Sequence, residues 1–136
     1  MKRLARAITV KKVSPKDEKE FLHAARVSRL NHQPWVKVPL TRTAFKRYVN
    51  EMRTPEDLAF VVRRKDTGAL VGVVELQDIL MGDFKNAYIL YYAFEGQQRQ
   101  GLMTQAVQEV VRIAFSTLKL HRLEANIQPE NIASKK

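Results

Sequence analysis

The run Glu95-Gly96-Gln97-Gln98-Arg99-Gln100-Gly101-Leu102-Met103-Thr104 joins a β-patterned segment, Ala87 to Phe94, to a long amphipathic helical pattern, Leu102 to Leu118. Its glycines and small polar side chains sit where the new helix begins, with backbone N–H groups that have no partner inside the helix. Those donors and the positive end of the helix dipole point the same way, so the spot suits an anion and, first of all, a phosphate-bearing ligand. A polar loop that merely caps a helix is the plainer alternative. Glu75 is the second residue with a chemical use. It is a carboxylate in an otherwise apolar strand, Leu70 to Leu76, where a raised pKa would suit a base. Alternation along the strand favours the solvent face for it. There is no Cys, which removes thiolate catalysis, disulfides and Cys-ligated metals. His23 and His32 lack a partner at metal-ligand spacing, and His121 reads as a helix-end residue interacting with the dipole. No metal is expected.

The elements that must position these groups fit one domain. The 136 residues are 45% hydrophobic, enough for a single core. No apolar run approaches the roughly 20 residues of a membrane-spanning helix. Met1 to Arg6 is basic without a following apolar stretch, so it does not read as a signal peptide, and the cytoplasm is the default location. The net charge of +10 is uneven: residues 1–64 carry 16 Lys/Arg against 6 Asp/Glu, and residues 65–136 carry 8 against 8. The imbalance fits an anionic partner for the first half, and equally a solvated basic surface. Neither RNP-like aromatic spacing nor a zinc-finger pattern accompanies it, so direct nucleic-acid binding is not expected.

Ala7 to Val13 alternates as a strand. Ser14-Pro15-Lys16-Asp17 supplies a helix cap, and a helix then runs to about Arg29 with Phe21, Leu22 and Ala25 inward. Asn31 to Leu40, with Pro34 and Pro39, reads as a loop. A second helix from Thr41 or Thr43 to Met52 buries Phe45, Val49 and Met52, and Thr54-Pro55 ends it. Leu58 to Arg64 and Ala69 to Gln77 are strands joined by the turn Lys65-Asp66-Thr67-Gly68. Ile79 to Phe84 is a connection, and Lys85 to Phe94 the next strand, giving an antiparallel meander. The stripe Leu102, Met103, Ala106, Val107, Val110, Val111, Ala114, Phe115 and Leu118 marks the clearest helix. Arg122 to Ile127 follows as a parallel strand, and Asn131 to Ser134 looks like the first turn of another helix. The order β-α-α-β-β-β-α-β implies an α/β (α+β) fold: a mixed, mainly antiparallel sheet with flanking helices and one β-α-β unit.

With these elements in place, the chain resembles the GNAT superfamily of N-acetyltransferases, and within it the ribosomal-protein N-terminal alanine acetyltransferases. Gln98-Arg99-Gln100-Gly101-Leu102-Met103 matches the acetyl-CoA signature Gln/Arg-x-x-Gly-x-Gly/Ala, with Met at its last position. Pro34-Trp35, Gly72-Val73, His121-Arg122 and Asn131-x-x-Ser134 are further subgroup-like features. The resemblance covers nearly the whole chain, most specifically residues 58–134.

It implies acetyl-CoA as co-substrate, with Gln98, Arg99, Gln100, Gly101, Leu102, Met103 and Thr104 around the pyrophosphate. Tyr91, Tyr92, Ala93 and Phe94 would hold the pantetheine arm like an added strand, one N–H polarising the thioester carbonyl. Tyr91 and Tyr92 serve as core and cleft packing. Asn131 would hydrogen-bond the arm, or else cap a helix; Asn126 faces the cofactor, or pairs with backbone. Ser134 would protonate the leaving thiolate, or is an ordinary helix-start serine. Glu75 is the base candidate near the acceptor amine. Trp35 lines the acceptor pocket or anchors a lid. The implied acceptor is a primary amine, foremost a protein N-terminus of the ribosomal-protein type; a small amine, or a non-catalytic acyl-CoA or nucleic-acid module, is the alternative. Full family members continue through the helix begun at Asn131 into two further strands, which carry the subgroup's proposed general-base carboxylate. The resemblance therefore implies a domain incomplete at its C-terminus. Oligomeric state is left open.

Overall fold

A computed structural model describes residues 7–32, 38–94 and 101–125. Five strands form one sheet in the order β1-β2-β3-β4-β5. They are β1 (Ile8–Lys12), β2 (Leu58–Arg64), β3 (Leu70–Leu80), β4 (Asn86–Ala93) and β5 (Arg122–Ala125). The first four pair antiparallel, and β4 pairs with β5 in parallel. Helices α1 (Glu18–His32) and α2 (Arg42–Glu51) lie between β1 and β2 in sequence; α3 (Leu102–Arg112) makes the crossover from β4 to β5.

Local chemistry sets most of the boundaries. Ser14 and Asp17 form a reciprocal capping box around a 3-10 turn at Pro15–Asp17, from which α1 departs. Thr41 caps α2 by accepting from Ala44 N–H at 3.1 Å. Gly68, at φ +78°, closes the β2–β3 turn. Three expectations need correction. Helix α1 continues to His32, so Asn31 and His32 are helical rather than loop. Strand β3 runs to Leu80 past an irregularity between Gln77 and Leu80, so Ile79 and Leu80 belong to it and not to a connection. The last helix passes into a π turn at Ile113–Thr117; this wider turn departs from the 3.6-residue period, and Phe115 is left exposed rather than on the buried stripe.

The sheet is covered on both faces. Under α3 lie Phe60, Val62, Val71, Val74, Leu76, Ile89 and the helix residues Leu102, Ala106, Val110 and Ala114. Under α1 and α2 lie Phe21, Phe45, Tyr48, Val61, Leu70, Val73, Tyr92 and Phe94. Consequently β3 is buried without interruption from Leu70 to Leu76, as expected for a strand with helices on both sides. No helix among the described residues is long and apolar enough to cross a membrane.

Candidate active site

Two regions meet at the end of β4. The first is the start of α3. Gly101 occupies its N-cap in the left-handed region (φ +69°) and, being a glycine, brings no side chain of its own to cap the helix. Among the described residues an added Cβ at Gly101 would meet nothing within 4 Å. The glycine thus satisfies a backbone requirement at a helix start whose first-turn N–H groups suit an anion. Leu102 is buried and anchors the first turn in the core, while Thr104 faces outward.

Met103, the departure from the signature, packs into the core under α3. Its Sδ lies 2.7 Å from where a Cβ at Gly72 would stand. A glycine in β3 therefore makes the room that a small residue at 103 would otherwise supply. Gly72 has a second constraint. A Cβ there would also lie 2.3 Å from the Tyr92 carbonyl oxygen and 3.0 Å from Ala93 Cα. Gly72 pairs with Ala93 in the β3–β4 ladder, and the Phe94 N–H donates to the Val71 carbonyl at 2.8 Å. Hence β3, the end of β4 and the start of α3 converge at one glycine. The described pairing of β5 with β4 extends from Asn86↔Arg122 to Ile89↔Ala125, so Tyr91, Tyr92, Ala93 and Phe94 lie beyond that paired stretch.

The second region lies across the sheet. Tyr91 faces the core under α3, whereas Tyr92 and Phe94 enter the aromatic cluster under α1 and α2. Phe21 stacks edge-on against Phe94 with ring centroids 5.5 Å apart, and tilts against Phe45 and Tyr48 at 5.0 and 5.8 Å. Glu75 sits beside this cluster and is only 5% exposed. This corrects the solvent-facing expectation: strict alternation describes a half-covered strand, and α2 covers the face that alternation would leave wet. Its carboxylate accepts from the Tyr48 hydroxyl at Oε2 and from Gln77 Nε2 at 2.8 Å on Oε1.

Burial raises the Glu75 pKa above the ordinary carboxylate range. The hydrogen bonds from Tyr48 and Gln77 pull it back, and the negative charge of Asp57 adds a further push upward. Burial, together with the neighbouring Tyr92 and Glu75, lifts the Tyr48 phenol well above its usual value. Tyr92 is lifted likewise by burial and by the Glu75 charge, with its contact to Tyr48 acting in the other direction. Both phenols therefore stay neutral where Glu75 can ionise. A raised pKa makes the ionised carboxylate a stronger proton acceptor, the direction a general base requires.

Of the residues selected from sequence, Gly101, Leu102, Met103 and Thr104 come together at the helix start, Tyr91, Tyr92 and Ala93 close β4 with Phe94 just after it, and Glu75 stands on β3 opposite Leu90. Gln98, Arg99, Gln100, Asn126, Asn131 and Ser134 lie outside the described residues, as does Trp35. Sequence reasoning missed Tyr48. It stands on the inward stripe of α2, Phe45-Tyr48-Val49-Met52, at helical spacing, but its partner Glu75 is far along the chain and only folding brings the two together. Gly72 is visible as a glycine in a strand, the usual mark of close backbone approach.

A family profile described as an acetyltransferase (GNAT) domain matches residues 8–136. The chain is 34% identical over 93 residues to a Bacillus subtilis protein named a probable N-acetyltransferase, YjcK, covering 68% of this chain and 51% of that protein. It is 30% identical over 66 residues to the ribosomal protein uS5 alanine N-acetyltransferase of Escherichia coli, covering 48% of this chain and 34% of the relative. The chain thus spans about half the length, or less, of these curated relatives. Among solved structures, a spermidine N-acetyltransferase from Vibrio cholerae in complex with CoA and spermine superposes with a TM-score of 0.78 at 16% identity, over 95% of this chain and 76% of the other. At that identity the likeness concerns the fold.

Proposed function

The chain belongs to the acetyltransferase (GNAT) domain family, and on that footing we propose that it forms the acetyl-CoA-binding part of an N-acetyltransferase acting on a protein N-terminus. The observation that carries the donor half is the left-handed glycine at the N-cap of α3. Backbone N–H groups at Gly101 to Thr104, with Gln98, Arg99 and Gln100 before them, receive the pyrophosphate. The end of β4, Tyr91 to Phe94, lines the pantetheine arm, and one of its N–H groups polarises the thioester carbonyl. The acceptor amine attacks that carbonyl carbon directly. A C–N bond forms, the C–S bond breaks, and no covalent enzyme intermediate is needed. Glu75 takes the proton released by the amine, directly or through a water, while Ser134 supplies the proton for the departing thiolate and Asn131 and Asn126 steady the arm.

The ribosomal-protein acceptor is supported by the E. coli relative and by charge. A net charge of +10, carried by the first half of the chain, repels a polycation and suits a neutral or acidic peptide. The test compares acetyl transfer to alanine-initiated peptides with transfer to spermidine at equal concentration. The peptides are expected to turn over at least tenfold faster; a preference for spermidine overturns the acceptor assignment and leaves the donor site standing.

A further inference from the structure

Nothing in the sequence singles out Tyr48 for chemistry, yet α2 delivers its hydroxyl to the most deeply buried carboxylate described in the chain, that of Glu75. Both Glu75 oxygens are engaged, and their two donors differ in kind. Gln77 lies two residues along the same strand, so it moves with Glu75. Tyr48 crosses from the helix layer and fixes the carboxylate relative to α2. A buried ion without such donors is costly, and a hydrogen bond to the charged form favours that form.

We propose that Tyr48 is a positioning residue for the transfer reaction: its hydroxyl holds the Glu75 carboxylate beneath α2 and sustains it as an ion. The role rests on the reading of Glu75 as the base. Tyr48 is not itself the acid or base, because its own proton is held too tightly. The other groups facing Glu75 are few. β3 contributes Gln77, which supports the ion; β4 contributes Tyr92, neutral in the working range; the segment before β2 contributes Asp57, which opposes the ion. On this face α1 offers Phe21 and Leu22, without charge. Tyr48 is thus the one support for the ion that comes from outside β3 among the described residues.

The test reads the acid limb of the kcat–pH profile and, independently of activity, the 13C NMR titration of the Glu75 carboxyl in the unliganded protein. Tyr48→Phe keeps the ring and removes the donor. Both readouts should move upward by about one pH unit or more, the size of a lost hydrogen bond to a charged group. Asp57→Asn should move them downward. Site-specific 3-fluorotyrosine at position 48, a stronger donor, should also move them downward, and it covers the case in which Tyr48→Phe fails to fold. An unmoved Glu75 titration in both position-48 variants overturns the proposal. Glu75→Gln separates the two readings: if it abolishes the acid limb while Tyr48→Phe leaves the limb in place, only the Tyr48 role falls; if the limb survives Glu75→Gln, the base reading falls and this role with it.

Discussion

The face of the sheet under α3 is closed mainly by aliphatic side chains, with Phe60 buried and Tyr91 and Met103 partly buried among them, whereas the face under α1 and α2 buries an acid and two phenols among aromatic rings. On the proposed reading the first face does its work through backbone. A helix start opens at a left-handed glycine, and a second glycine lets that helix and β4 approach β3. The apolar packing around them serves to hold main-chain groups still, which is what a site built from N–H donors needs. The second face works through side chains whose charge states depend on one another: Glu75 is raised by burial, and two phenols beside it stay protonated. On the proposed assignment, donor recognition tolerates side-chain change wherever main-chain geometry survives. Proton handling cannot, because each group sets the state of the next.

Two substitutions bring out this contrast. The largest effect belongs to the polar face. Glu75→Gln should lower kcat by about 10²–10⁴-fold, the usual range for removing a general base, while acetyl-CoA affinity measured by calorimetry stays within twofold of the parent. A joint loss of turnover and affinity would erase the division between the faces. Next comes Gly72→Ala. Its Cβ would press on the Tyr92 carbonyl oxygen and on Met103 Sδ, so the variant should lose about 1–3 kcal/mol of stability, as overpacked sites do, and bind acetyl-CoA at least tenfold more weakly. Adding Met103→Ala should restore little, because the sulfur can swing aside and the backbone oxygen cannot. Full rescue by that second change would move the constraint from the strand to the helix side chain.

The same contrast explains what could be read from the residues beforehand. Capping residues act within a few positions of where they stand, so Ser14, Thr41 and Gly68 announce their turns. The stripe on α3 and the turn-punctuated strands also betray themselves by period, and with them the parallel crossover from β4 to β5. The glycine at the helix start was legible for the same reason. Alternation misplaces Glu75 because it assumes one wet face, and whether a helix covers that face is a tertiary fact. Tyr48 was missed because its pairing with Glu75 joins a helix to a strand distant in sequence. The extra reach of β3 to Leu80 passes through Asp78 at φ +52°, an irregularity that a simple strand pattern does not foresee.

On the proposed reading, the start of α3 receives the phosphates of acetyl-CoA through main-chain donors at Gly101. Calorimetric titration with acetyl-CoA, comparing the parent, Gly101→Ala and Gly101→Glu, addresses it most directly. Both variants share the backbone cost of a side chain at φ +69°, about 1 kcal/mol. Only the glutamate places a negative group where the pyrophosphate should lie. The expected result is binding by the parent, a few-fold weakening in Gly101→Ala, and a loss of at least a hundredfold in Gly101→Glu that exceeds the alanine effect. Equal affinity in Gly101→Ala and Gly101→Glu would contradict the assignment.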